Sequence, residues 1–180
     1  MSIDNLIISA IIFILGPIPL FHITLHLFLR FWRKSPRLLY ASATILWALS
    51  LSIASYVSVW QAALFVPPLW LQVSGIIFGA FSLALVLWAF FTLGPKRFMV
   101  WAVVASEAVE QKYIKSGPYR FVPHPAYLGY MAIALAVFLI TGLASALGFF
   151  IYSVVFLMMV ILLENHEMKK RLPNVPESLE

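Results

Sequence analysis

Apolar runs of about 20 residues recur along this chain, each long enough to cross a hydrocarbon layer about 30 Å thick. They lie at about 6–29, 38–60, 70–92, 126–141 and 143–163. A backbone inside lipid must pair its own polar groups, which favours helices over open strands. The predicted fold is therefore all-α: a polytopic membrane bundle of five transmembrane helices. Thr141-Gly142 is a tight break, so the last two runs should form a helical hairpin. Of the 180 residues only 11% are charged, against about 25% in a soluble domain. That leaves no room for a separate soluble domain, and residues 1–180 read as a single membrane-embedded unit. The first run has no basic flank before it and no small-residue cleavage site after it. It is expected to remain a span rather than act as a removable signal.

The cations are one-sided. Arg30, Arg33, Lys34 and Arg37 follow the first run; Lys96, Arg97, Lys112, Lys115 and Arg120 lie between the third and fourth; Lys169, Lys170 and Arg171 follow the fifth. The turns at 61–69 and 141–144 carry no charge. The positive-inside rule then places the N-terminus outside, and the 30–37 loop, the 93–125 segment and the 164–180 tail in the cytoplasm. The membrane is a plasma or inner membrane, or that of the endoplasmic reticulum. The net charge of +5 suits loops facing anionic headgroups rather than nucleic acid. Cysteine is absent, which removes disulfides, thiolate metal sites and a Cys nucleophile.

Two prolines in Gly16-Pro17-Ile18-Pro19 remove backbone donors and should kink the first span. The 93–125 connection is long, as functional loops are, and a short interfacial helix is expected within 98–112. Its end, Gly117-Pro118-Tyr119-Arg120-Phe121-Val122-Pro123-His124-Pro125, is polar, aromatic and rich in helix breakers. Each proline holds the preceding residue in extended or turn conformations. His124 then sits at the N-terminus of the fourth helix, where backbone N–H groups favour anionic ligand groups. Tyr127 follows on roughly the same face. An interfacial belt accounts for Tyr119 and Arg120, but not for a Pro-His-Pro turn.

Glu164 and Glu167 share a helical face at the end of the fifth run. They read either as a solvated helix end with Lys169–Arg171 favouring the dipole or as part of the level that holds His124. His22 and His26 have the i, i+4 spacing of a metal pair, but no third ligand accompanies them and no metal site is predicted. They read as a polar pair facing the bundle. Gly75 and Gly79 let helices approach closely, most simply within one bundle. No phosphate-binding glycine loop, dinucleotide fingerprint or serine nucleophile elbow is present.

Leu93-Gly94, Gly117-Pro118-Tyr119, His124-Pro125-Ala126-Tyr127-Leu128-Gly129 and then Glu164-Asn165 resemble the isoprenylcysteine carboxyl methyltransferase and phospholipid methyltransferase group. The resemblance covers residues 93–165, in the order, spacing and topology of that group. It implies an S-adenosylmethionine-dependent methyltransferase acting at the membrane on a lipid or another lipophilic or lipidated acceptor carrying an amine, carboxylate or thiol. It also implies a cytoplasmic cofactor pocket lined by Gln111, Tyr113, Ile114, Tyr119, His124, Tyr127 and Glu164. Glu167 and His166 are the candidate proton acceptors. Three positions depart from the family pattern. Pro123 replaces the Arg before the motif His, Asn165 replaces the second Glu, and Val160 replaces an Arg that some members use for the prenylcysteine carboxylate. The Tyr-rich C-terminal segment of the family has no counterpart before Glu180. The Val160 departure argues against a prenylcysteine carboxylate. Alternatives from other classes are a nicotinamide-dependent membrane reductase of the sterol reductase type and a non-catalytic membrane protein of the same fold.

Overall fold

The computed structural model describes residues 3–59, 62–105 and 112–171. The regular elements among these residues are all helices, with no β-strand. The order is α1 (Ile3–Leu15), α2 (Pro17–Leu27), α3 (Leu29–Lys34), α4 (Pro36–Val59), α5 (Leu69–Leu93), α6 (Pro95–Phe98), α7 (Trp101–Val104), a 3₁₀ turn (Gly117–Arg120), α8 (Pro125–Thr141) and α9 (Ala144–Arg171). Among the described residues, four stretches are helices long and apolar enough to cross a membrane: Asn5–Leu27, Pro36–Val57, Leu69–Leu93 and Ala144–Lys170. The fourth apolar helix in chain order, α8, has 17 residues, about 25 Å at 1.5 Å per residue. The protein is an all-α integral membrane bundle.

The first run keeps one helical path through Gly16, whose dihedrals stay right-handed, but its hydrogen-bond ladder is interrupted there between α1 and α2. Pro17 and Pro19 cannot donate, so the carbonyls of Phe13 and Leu15, four residues before each, lose their helical partners. Side chains from three other helices take over around this break. Tyr130 of α8 donates its hydroxyl to the Leu15 carbonyl at 2.6 Å, and Tyr152 of α9 to that of Gly16 at 2.7 Å. Ser50 of α4 donates to Ile12 at 2.8 Å, with Phe13 at 3.4 Å. A break that would be costly in lipid thus becomes a three-way attachment. Tyr130→Phe, which leaves the Leu15 carbonyl unpaired, is expected to lower stability by about 1 kcal/mol. Denaturation in mixed micelles measures it, and a variant as stable as the parent would show that the hydroxyl contributes nothing.

The longest interface joins α5 to α8, which meet through small residues. A Cβ built on Gly75 would lie 2.9 Å from Ile140 Cγ1, one on Gly79 3.3 Å from Ala136 Cβ, and one on Gly129 2.9 Å from the Ser82 carbonyl. The glycine pair therefore packs within the bundle. The opposite face of α5 leaves Trp70, Ile77, Phe81 and Phe91 exposed, as a lipid-facing helix does.

The hairpin turns at Gly142, which ends α8 at φ 65°, in the left-handed region that glycine adopts without strain. Its N–H reaches the Phe138 carbonyl at 2.8 Å, and its own carbonyl accepts from Leu64 N at 2.9 Å, tying the turn to the 62–68 connection. The expected interfacial helix over 98–112 is not continuous. Val100, at φ 55°, separates two single turns, α6 and α7, and residues 106–111 lie outside the described residues. Arg33 and Tyr40 hold this segment down, donating to the carbonyls of Val103 at 3.2 Å and Met99 at 2.9 Å.

Candidate functional site

A cavity of about 310 Å³ opens between α2, α5, α7, the 112–124 segment, α8 and the end of α9. It has two ends. Toward the 93–125 segment its wall is polar and aromatic, with Arg97, Lys112, Tyr113, Tyr119, His124 and Glu164; toward the hairpin it is apolar, with Leu15, Ile18, Leu83, Val86 and Ile133.

Local sequence explains how the polar end forms. Gly117, at φ 56°, starts the 3₁₀ turn against α5, and a side chain there would run into Thr92. The turn drops Tyr119 onto the cavity wall. Pro125 opens α8 with His124 as its N-cap, outside the helical region at φ −127° and ψ 62°, so the imidazole turns back over the bundle. Tyr127 stacks on it, with ring centroids 5.6 Å apart and planes 11° apart. His124 is also gripped from α9: Nε2 lies 2.7 Å from Asn165 Oδ1, and Nδ1 lies 3.6 Å from Glu164 Oε2. Asn165 removes the charge that the family's second Glu would carry, yet it keeps a hydrogen-bonding partner for the imidazole.

Glu164 Oε2 is buried and makes no hydrogen bond, and the Tyr119 and Tyr127 side chains line the same cavity. A buried carboxylate oxygen aimed into a cavity is a receptor for a donor group. Burial, and next the charge of Glu164, push the Tyr119 phenol well up from its usual range; burial also raises that of Tyr113. Both phenols therefore remain neutral proton donors at physiological pH.

The structure brings together Tyr113, Ile114, Tyr119, His124, Tyr127 and Glu164 on one wall. Gln111 lies outside the described residues. The two candidate proton acceptors are placed elsewhere. His166 is exposed on α9, and Glu167 pairs with Arg33 Nη2 at 3.1 Å; neither lines the cavity. Successive α9 residues point about 100° apart, which turns His166 away from the face that carries Glu164, whereas Glu167 lies closer to that face and is drawn to Arg33 instead. No cluster of metal-ligating side chains occurs among the described residues.

Sequence reasoning did not place His22, His26, Arg97 and Lys112 in the site, and all four line the cavity. His22 Nδ1 is hydrogen-bonded to Tyr127 Oη at 2.9 Å. The i, i+4 histidine spacing was the visible signal, but the rotation of α2 that aims it was not. The two cations carried only a topological signal.

Residues 73–170 match the sequence profile of the isoprenylcysteine carboxyl methyltransferase family, which fixes the class of protein as a membrane-embedded methyltransferase. The chain belongs to that family. Members of this family depend on S-adenosylmethionine. No curated protein and no solved structure matches the chain.

Proposed function

We propose that this protein transfers a methyl group from S-adenosylmethionine to a lipophilic acceptor within the membrane. The observation that supports this most directly is the convergence of three separated motif segments. Tyr119 from the 3₁₀ turn, His124 and Tyr127 from the start of α8, and Glu164 from α9 meet on one cavity wall that continues into an apolar end. When bound, S-adenosylmethionine supplies an electrophilic methyl group on a sulfonium sulfur.

The chain's own residues bind and orient. Glu164, with an unused buried oxygen, accepts from the cofactor's ammonium or ribose hydroxyls. His124, at the α8 N-terminus, receives its carboxylate together with the free backbone N–H groups there. Tyr113 and Tyr119 present ring faces to the adenine or the sulfonium, and Gln111 and Ile114 complete the set. Val86, Tyr130 and Ile133 keep water from the reacting groups. The acceptor enters from the lipid side, its apolar part toward Leu15, Ile18 and Leu83. With Val160 fully buried on α9, no cation stands where some relatives hold a carboxylate.

This reading also sets the site at the cytoplasmic face, with the N-terminus outside, because the basic clusters all lie at the cavity's polar end. Titration of the purified protein with S-adenosylmethionine in a calorimeter is expected to give saturable one-to-one binding. Reporters at the C-terminus and within 62–68 are expected on opposite sides of the membrane. Absence of binding would overturn the cofactor assignment, and reporters on one side would overturn the orientation.

A further inference from the structure

The polar end of the cavity is walled by pieces from distant parts of the chain. Val100, Ala102 and Val103 come from α7 and the residue before it, and Glu164 and Met168 from the end of α9. Each piece is fastened on its own side. Val100, Val103 and Val104 sink into a buried cluster with Phe21, Leu25 and Leu39, and Tyr40 donates to the Met99 carbonyl at 2.9 Å. α7 packs on α3 and α6, whereas α9 packs on α1, α2 and α8; among the described residues no extended packing joins α7 to α9. A site built across two unjoined elements keeps its geometry only if something holds them in register.

Arg33 makes that link. It lies on α3, outside the stretch that carries the family match, and does not line the cavity. Its guanidinium reaches both elements at once: Nε donates to the Val103 carbonyl at 3.2 Å and Nη2 to Glu167 Oε1 at 3.1 Å. α7 is a single turn, so its last carbonyls have no partner within the helix, and Arg33 supplies one. The Glu167 side chain is 14% exposed, against 38% for Arg33. An ion pair between two fully wetted chains would count for little, but here the carboxylate is shielded. A shielded carboxylate that loses its paired cation is driven toward water.

Where Glu167 goes bears on the site, because it stands three residues after Glu164 and one before Met168, and both of these line the cavity. The end of α9 is tied down by two side chains from other elements. His124 holds Glu164 and Asn165, and Arg33 holds Glu167. The first tie is itself a cofactor-binding residue in the reading above. The second touches no ligand, so it sets the place of Glu164 before any ligand arrives. The residue type matters as well. A guanidinium presents several N–H groups in a rigid plane and serves two acceptors at fixed angles, which a lysine ammonium on a flexible stem does not.

Resting on the methyltransferase reading, we propose that Arg33 is a positioning residue for the transfer: it holds α7 and the end of α9 at one spacing, so that Glu164 stands ready for the cofactor. Arg33 touches neither cofactor nor acceptor and acts through Val103 and Glu167. A carboxylate in its place sets two like charges against each other and drives α9 away from α7. Exchanging the two residues restores an opposite-charge pair, and the arginine then reaches across from α9.

The chain contains no cysteine, so spin labels attach only where a cysteine is introduced. Lys96→Cys on α6 and His166→Cys on α9, both exposed positions, carry one label each in the purified full chain. Pulsed dipolar spectroscopy then reads the distance between them without cofactor. The protein with Arg33 intact is expected to give one narrow distribution. Arg33→Glu is expected to broaden and lengthen it, Arg33→Gln to fall between, and Arg33→Glu with Glu167→Arg to narrow it again. S-adenosylmethionine affinity of the unlabelled variants, read by calorimetry, is expected to follow the same order, with a loss of about fivefold in Arg33→Glu. Equal distributions with Arg33 intact and in both single variants overturn the proposal. So does an exchange that restores neither spacing nor affinity, or an unchanged affinity in Arg33→Glu when the parent binds the cofactor. If the spacing follows the variants but the parent binds no S-adenosylmethionine, the link between α7 and α9 stands and the cofactor reading alone falls.

Discussion

Gly129→Val is expected to destabilise the bundle by about 3 kcal/mol or more, at the upper end of what overpacking does. A Cβ at this position would lie 2.6 Å from Val86 Cγ2 and 2.9 Å from the Ser82 carbonyl oxygen. The second neighbour is backbone, so the strain cannot be relieved by a rotamer change, and α5 and α8 must part. Gly148→Ala is the matched comparison: nothing lies within 4 Å of its Cβ, so it should stay within about 0.5 kcal/mol of the parent. Denaturation of both in mixed micelles decides the point, and equal stabilities would mean that the α5–α8 contact is not the one described. Gly129 also bears on the site. Val86 on one side and Tyr127 and Tyr130 on the other line the cavity, so a wedge between these helices distorts it as well.

The second large effect concerns cofactor affinity. His124→Ala and Glu164→Gln are each expected to weaken S-adenosylmethionine binding by roughly tenfold or more, the usual consequence of losing a charge-assisted hydrogen bond. Because both act on one ligand, the double variant should lose less than the product of the two. The residues also face each other directly, with His124 Nδ1 3.6 Å from Glu164 Oε2. That contact couples them without any ligand, so the cycle must be run twice, once on affinity and once on unfolding. Coupling in affinity that exceeds coupling in stability is the expected result. Additive losses, or no loss in Glu164→Gln, would remove the ligand from between them.

Much of this architecture is legible in the residues because lipid makes the rules strict. Apolar length marks helices, and Thr141-Gly142 marks the hairpin. That hairpin brings Glu164 back to the level of His124. The Gly-Pro and His-Pro steps identify the ordered loop. What sequence does not carry is rotation about a helix axis when lipid and core are equally apolar. Ile23 and Leu25 are buried while Leu27 is exposed, and nothing in their chemistry distinguishes them. For that reason His22 reads as one of a polar pair, and only the packing of α2 shows that it meets Tyr127. On α9 the same uncertainty separates Glu164, which faces the cavity, from His166 and Glu167, which do not. The interruption at Gly16 is legible as a kink, but the hydroxyls that complete it come from Ser50, Tyr130 and Tyr152, too far away in sequence for any local pattern to announce.

Those hydroxyls also bear on how the protein is made. A chain inserted from its N-terminus places α1 and α2 in the bilayer first, with the Phe13 and Leu15 carbonyls facing a medium that offers no partner. Ser50 arrives with α4, but Tyr130 and Tyr152 belong to the last two helices to be synthesised. The first helices thus wait for the last. Docking of the C-terminal hairpin, which brings the Tyr130 and Tyr152 hydroxyls to the break, is also the step that builds the cavity wall around Tyr130. Assembly of the membrane domain and completion of the site are one event.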